Sequence, residues 1–232
     1  MNSEDIPGSH ALCVGTHDKV LNMGIKERRE REKNKRRESI LSAAIQVYDQ
    51  EGYHAITMEK IAEAAELSRA TLYLYFKTKD EIFIHAIVSY SDFFRERLKT
   101  LYAGRSEIKD KLLESLWSTF IAFYEKDRSS FNATLYFHQS EMIRNLPENL
   151  RIILDLSGSR IYEYLSKIMA YGIGQGVFRD GNPKTQAEVV WTSFLGIIHL
   201  ENSKKAMSRK THLEITRNLA LEMLSRGILK ST

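Results

Sequence analysis

The chain has 232 residues, 43% of them hydrophobic, enough for one large domain or two modest ones with a real core. Its formal net charge is +4, too small by itself to mark a nucleic-acid binder. Cys13 is the only cysteine, which excludes an intrachain disulfide and a cysteine-built zinc site. No apolar run approaches the roughly 18 residues that span a bilayer, and the N-terminus lacks the basic-then-apolar order of a secretory signal. The expectation is a cytoplasmic protein with no membrane partner.

Residues 1–25 mix Gly, Ser, His and Asp without a sustained period and read as a disordered leader. Met23 stands just before the basic run and is a second candidate start of translation. Residues 26–37 carry eight Lys/Arg against three Glu, a net of +5, whereas residues 38–67 carry one Lys against six acids, a net of −5. A nucleic-acid reading must therefore rest on where charges sit and not on their sum. The basic run fits a solvated helical extension. It also fits an arm along a phosphate backbone, with Lys35, Arg36 and Arg37 as the nearest contacts.

Residues 38–50 form the first well-marked helix, with Ile40, Leu41, Ala44, Val47 and Tyr48 as an inward stripe and Gly52 as its stop. Thr57 is placed to cap a second short helix, with Ile56 and Ile61 as a hydrophobic staple across the cap. Ala65, Glu66 and Leu67 make a bend, and Ser68 caps the next helix, residues 69–76. Stepping 100° per residue puts Leu72 and Phe76 on the inward face and Ala70, Thr71 and Leu74 on the opposite one, flanked by Tyr73 and Tyr75. Such an outward face suits a major groove. Thr71 can bond a base edge or touch a thymine methyl, Leu74 can touch a methyl, and Arg69 can reach a guanine. The tyrosine hydroxyls, Thr57 and Lys79 are candidate phosphate contacts.

This stretch resembles the helix-turn-helix of the TetR family of bacterial transcriptional regulators. The residues that carry the likeness are Thr57, Ile61-Ala62, Ala65, Ser68, Thr71-Leu72-Tyr73, Phe76 and Lys79, and it covers roughly residues 36–85. The family usually has Gly-Val in the turn, where this chain has Glu66-Leu67. Glu66 therefore implies either mild strain or a turn with ordinary φ.

Thr78 and Glu81 have the spacing of a capping box for a fourth, long helix reaching about residue 102. Beyond Gly104 the chain reads as helices over roughly 106–126, 129–145, 147–172, 183–203 and 209–226, with no convincing strand. Ser157-Gly158-Ser159 marks a candidate bend. The Gly-rich stretch 172–176 follows a helix, so it reads as a helix stop and not a phosphate cradle. The fold expected is all-α: an N-terminal three-helix helix-turn-helix DNA-binding domain and a C-terminal helical ligand-binding and dimerisation domain. The divisions are 1–25, 26–85 and 86–232.

The body is rich in aromatics. Most belong to a core, but Trp117, Phe120, Tyr124, Tyr136, His138 and Tyr162 are candidates for lining an apolar pocket. The resemblance implies a small inducer there, of hydrophobic or aromatic type. His138 and Glu141 have a chelating spacing but no further ligand, so no metal or cofactor is expected. With no P-loop, no G-x-G-x-x-G and no G-x-S-x-G turn, neither is an enzyme. Val190, Trp191, Phe194, Ile197 and Ile198, with Leu219 and Met223, are candidates for a four-helix interface between two copies, with Ser193 and Gly196 permitting close approach. One short recognition helix reads few base pairs, and a two-fold pair reads a palindromic double-stranded DNA operator. The expectation is a homodimer, and the resemblance implies that it is a repressor released by its ligand. Two alternatives stay open: a DNA-binding regulator or architectural factor without a small inducer, and a helical adaptor or enzyme that has lost DNA binding.

Overall fold

The computed structural model of the chain describes the backbone of residues 14–230, with side chains from residue 26 onward except Ser140. Among the described residues there are ten α-helices and no strand beyond one isolated bridge. Helix α1 spans Val14–Glu51, α2 Met58–Ala64, α3 Arg69–Tyr75 and α4 Lys79–Ala103. The body adds α5 Leu112–Lys126, α6 Arg128–Phe137, α7 Ser140–Asn145, α8 Glu148–Gly174, α9 Pro183–Ala206 and α10 Leu213–Ile228.

Helix α1 bears out the helical extension of the basic run upstream of residue 38 and corrects the reading of a disordered leader over residues 14–25. Residues 1–13 lie outside the described ones, but the backbone is helical from Val14. The physical reason is propagation. The segment from Ile40 onward is anchored in the core, so extending it upstream needs no new nucleus. Lys, Arg and Glu are good helix formers, and Arg28 meets Glu32 at 3.0 Å one turn on.

The predicted caps are present. Thr57 accepts from the Lys60 N–H at 3.3 Å, Ser68 from Thr71 at 3.1 Å and Thr78 from Glu81 at 3.1 Å. The Glu81 carboxylate accepts from the Lys77 N–H at 2.7 Å, one residue further back than a capping box requires. Gly52, at φ 74°, ends the first helix, and the glycine stretch ends α8 with Gly176 at φ 70°. The expected helix over 129–145 is two: His138 closes α6 and Gln139 is extended before α7. Residues 157–159 lie inside unbroken helix.

Two apolar clusters hold the molecule. The first gathers Ile40, Ala44, Val47, Ile56, Ile61, Leu72, Phe76, Ile82 and Phe83 from the head. It also takes in Phe137, Leu146, Leu150 and Leu154 from the body. The second lies among α4, α5, α8 and α9, around Phe94, Leu98, Trp117, Phe120, Leu165 and Phe194. Helix α4 contributes to both, so it joins them. The chain's end is strapped down by Arg179 N–H to Ile228 O and Lys230 N–H to Val177 O, at 2.8 and 2.9 Å. Gly172 is required there, because a Cβ would fall 2.3 Å from the Phe178 ring.

Candidate nucleic-acid interface and body cavity

The three head helices rest on Leu72 and Phe76, both fully buried, as the helical period demanded. With those two turned in, Leu74 is left 80% exposed on the opposite face. Arg69 and Ala70 are exposed beside it, and Thr71 and Tyr73 are half-exposed. Thr71 Oγ1 lies 2.8 Å from Ser68 Oγ, which fixes its rotamer at the start of α3. Tyr75 packs partly against the head core. Thr57 is exposed and engaged as a cap.

The turn between α2 and α3 resolves the question raised by Glu66. Its φ is 55°, the left-handed region. Glu66 N–H reaches Glu63 O at 3.0 Å and Leu67 N–H reaches Ala62 O at 2.8 Å. That double closure needs a left-handed residue at its centre, and a Cβ makes the conformation costly.

Two of the expected phosphate contacts are engaged within the chain. The Lys79 ammonium donates to Tyr53 O at 3.3 Å and to Ile56 O at 3.1 Å, and lies 4.5 Å from the Tyr53 ring. It satisfies the carbonyls of the short 3₁₀ turn Tyr53–Ala55 and is not free to reach outward. The Arg37 guanidinium lies over the Phe76 ring at 4.3 Å, half-buried, and braces α1 against the end of α3. Lys35 and Arg36 remain exposed.

One partner was not foreseen. Arg69 is held 2.6 Å from Glu59 across the turn. A hydrogen bond to Tyr73, and then the Glu59 charge, favour the guanidinium in its charged form. Glu59 is held below the usual carboxylate range, first by its own backbone N–H, then by Thr57, with Arg69 adding to it. The i, i+10 separation of this pair is not a helical spacing, so only the turn geometry reveals it.

The six pocket candidates do not form one pocket. Trp117, Phe120 and Tyr124 are buried in the second core. Their rings are packed with Phe94, Phe131, Trp191 and Phe194, for example Phe120 on Trp191 at 4.9 Å. Tyr136 faces the head instead, 5.6 Å from the Tyr53 ring. His138 and Tyr162 do share a cavity, of about 50 Å³, with Ser91, Thr134, Ser157 and Trp191. The helix break after Phe137 separates His138 from Glu141.

The interface candidates divide too. Val190, Phe194 and Ile198 are at most 1% exposed within the single chain and cannot meet a second copy. Trp191 and Ile197 are half-buried on the second core. The outward stripe of α9 is one residue earlier: Val189, Ser193, Gly196 and Leu200, with Val189 and Leu200 each 49% exposed. Leu219 and Met223 are exposed as expected, and Ile215 joins them at 69%.

A capped helix-turn-helix head on an all-helical body has the build of a DNA-binding regulator. Residues 40–86 match the family described as bacterial regulatory proteins, tetR family. Residues 40–86 thus carry the head of the TetR regulators, and the similarity to such regulators extends well past it. It is 26% identical over 172 residues to the HTH-type transcriptional regulator YhgD of Bacillus subtilis, covering 70% of this chain and 82% of the relative. It is 28% identical over 144 residues to the fatty acid metabolism regulator protein of Bacillus subtilis, covering 61% of this chain and 70% of that protein. The solved structure of the regulator FadR from Bacillus subtilis, in complex with stearoyl-CoA, superposes with a TM-score of 0.64 at 25% identity. That match covers 82% of this chain and 98% of that one. No described helix is long and apolar enough to cross a membrane.

Proposed function

We propose that the protein is a repressor that occupies a palindromic operator as a homodimer and is released by a hydrophobic small molecule. The observation that carries the DNA reading is the exposed face of α3, with Leu74 outward and Leu72 and Phe76 wholly inward. Arg69, Ala70, Thr71, Tyr73 and Leu74 supply base-edge and methyl contacts, while Lys35, Arg36, Thr57 and Tyr75 supply phosphate contacts. The dimer forms through the α9 stripe of Val189, Ser193, Gly196 and Leu200 and the α10 stripe of Ile215, Leu219 and Met223. A Cβ built on Gly196 meets nothing within 4 Å, so a second helix has room to approach there.

The ligand class is the long-chain acyl thioester, supported by the FadR relative that holds stearoyl-CoA. The cavity of about 50 Å³ holds no such chain. Tyr162 also lines an open groove of about 750 Å³ with Ser159, Lys167 and Glu188, but burial of an acyl chain inside the body requires separation of α4, α8 and α9, which gives the two states different ligand affinity. Helix α4 then carries the change to the head.

A mobility shift on DNA upstream of the protein's own gene tests the first half, and addition of a long-chain acyl-CoA tests the second. Thr71→Ala is expected to abolish the shift without altering the thermal melt. No shift at low salt removes the DNA reading. The closely packed body favours one alternative, a regulator without a small inducer. A shift insensitive to acyl-CoA, with no thermal stabilisation by hydrophobic ligands, selects it.

A further inference from the structure

Helix α1 projects well beyond the head it anchors. From residue 26 to residue 39 every side chain is exposed except half-buried Arg37, and Ile40 is the first buried one. Fourteen residues of helix are about 21 Å long. The projection begins beside the reading head. Arg36 shares a groove with Ala65, Glu66 and Leu67 of the turn, and Arg37 lies over Phe76 at the end of α3.

The charges on this segment are ordered. Lys26, Arg29, Lys33 and Arg36 follow one another at spacings of three or four, and the same line continues through Ile40, Ala44 and Val47. Those last three are packed in the head core. The four basic residues therefore face the side on which the head sits, and past its edge they face what the head sits on. The run is uncompensated: 26–37 has a net of +5, and among the described residues its one ion pair is Arg28 with Glu32. Residues 26–36 contain no apolar side chain. That leaves no seam for a coiled coil and no face to enter a bilayer.

We propose that Lys26, Arg29, Lys33 and Arg36 form a rigid outrigger that binds phosphates of the duplex flanking the segment read by α3. This rests on the duplex-binding reading above and extends it by up to about six base pairs at 3.4 Å each. A helical arm pre-ordered by α1 loses little freedom on binding, unlike a disordered tail.

The test uses the full chain and a mixed-sequence duplex of about 40 base pairs, a length chosen to exceed the roughly ten-base-pair turn read by one half-site plus both flanks. Binding is followed by fluorescence anisotropy across a salt series. The paired variants Arg29→Gln/Lys33→Gln and Arg28→Gln/Arg31→Gln remove equal charge from opposite faces. The first is expected to lower the slope of log K against log salt by about 1.8 per bound chain, two contacts at about 0.9 each, and the second to leave it nearly unchanged. Equal changes in both pairs, or none in either, overturn the outrigger while leaving duplex binding intact. A wild-type chain that binds no duplex at low salt overturns the DNA reading beneath it as well. Capture by anionic-lipid vesicles that the first pair abolishes, with the DNA slope unaltered, assigns the stripe to membranes and also overturns the proposal.

Discussion

The hydroxyl of Tyr136, on α6, lies 3.1 Å from Nε2 of His54, in the 3₁₀ turn that precedes the helix-turn-helix. Around this bond the body enters the head. Tyr53 meets Phe137 at 4.9 Å and Phe83 at 5.2 Å, and its hydroxyl donates to Asp80 at the start of α4. Burial, with the bond to Asp80 next, keeps the Tyr53 phenol protonated far above its ordinary range. A movement of α6 therefore reaches α1 and α4 through packed rings. Tyr136→Phe keeps the rings and loses one half-exposed bond, so a loss of at most about 1 kcal/mol is expected. Tyr136→Ala removes the ring and is expected to split the calorimetric melt, with the head unfolding first. A single unbroken transition in the alanine variant would show that this junction does not couple the two cores.

The pair of Arg69 with Glu59 sets how much of the guanidinium is available to DNA. Both side chains are largely exposed, so the pair adds little stability. Its effect belongs to recognition. Glu59→Gln frees Arg69 and removes a negative charge from the DNA-facing side. Tighter binding to any duplex is expected, with a salt slope steeper by up to about 0.9 per chain. Discrimination between operator and mixed sequence is expected to fall, because the nonspecific term gains most. Unchanged affinity in an anisotropy titration would mean that Arg69 does not approach the duplex.

Glu66 holds a left-handed conformation, at φ 55°, which its Cβ makes costly by about 1–2 kcal/mol. Glycine removes that cost but loses more freedom on folding. The net expected for Glu66→Gly is a stabilisation of up to about 1 kcal/mol. A branched residue strains the turn further, so Glu66→Val is expected to destabilise. Thermal melts of the two variants, moving in opposite directions, check both.

Which parts of this were legible before any coordinates follows from the range of each interaction. Thr57, Ser68 and Thr78 each cap the residue three positions on, so spacing alone revealed them. Leu72 and Phe76 were separated from Leu74 by the helical period, again a local property. Lys79 and Tyr136 were misplaced for the opposite reason: their partners, Ile56 and His54, lie 23 and 82 positions away. For α9 the wheel correctly grouped Val190, Phe194 and Ile198. It could not say that the body's own core, with α5 and α6 rings on Phe194, and not a second copy covers them, since both are apolar neighbours. A helical extension over 26–37 was one of two readings, and α1 upstream of residue 26 was missed because that stretch displays no sustained period.

His85 gives the head a pH dependence of known sign. It sits half-buried on α4, 5.8 Å from the Phe76 ring that Arg37 covers on another side. Burial, and then the Arg37 charge, push its pKa below 6.5, while Glu81 pulls weakly upward. The folded head thus prefers the neutral imidazole, and the unfolded chain takes up its proton first as the pH falls. The stability contributed by this group is full above about pH 6.5 and is lost as the pH drops through the depressed folded value. Denaturant melts of the wild type and His85→Asn at pH 7.5 and 5.5 isolate the effect, since other titrating groups cancel in the difference. The wild type is expected to lose more stability than the variant between the two pH values. Equal losses would show that the imidazole accepts its proton in the folded head as readily as in the unfolded chain, and that Arg37 does not oppose it across Phe76.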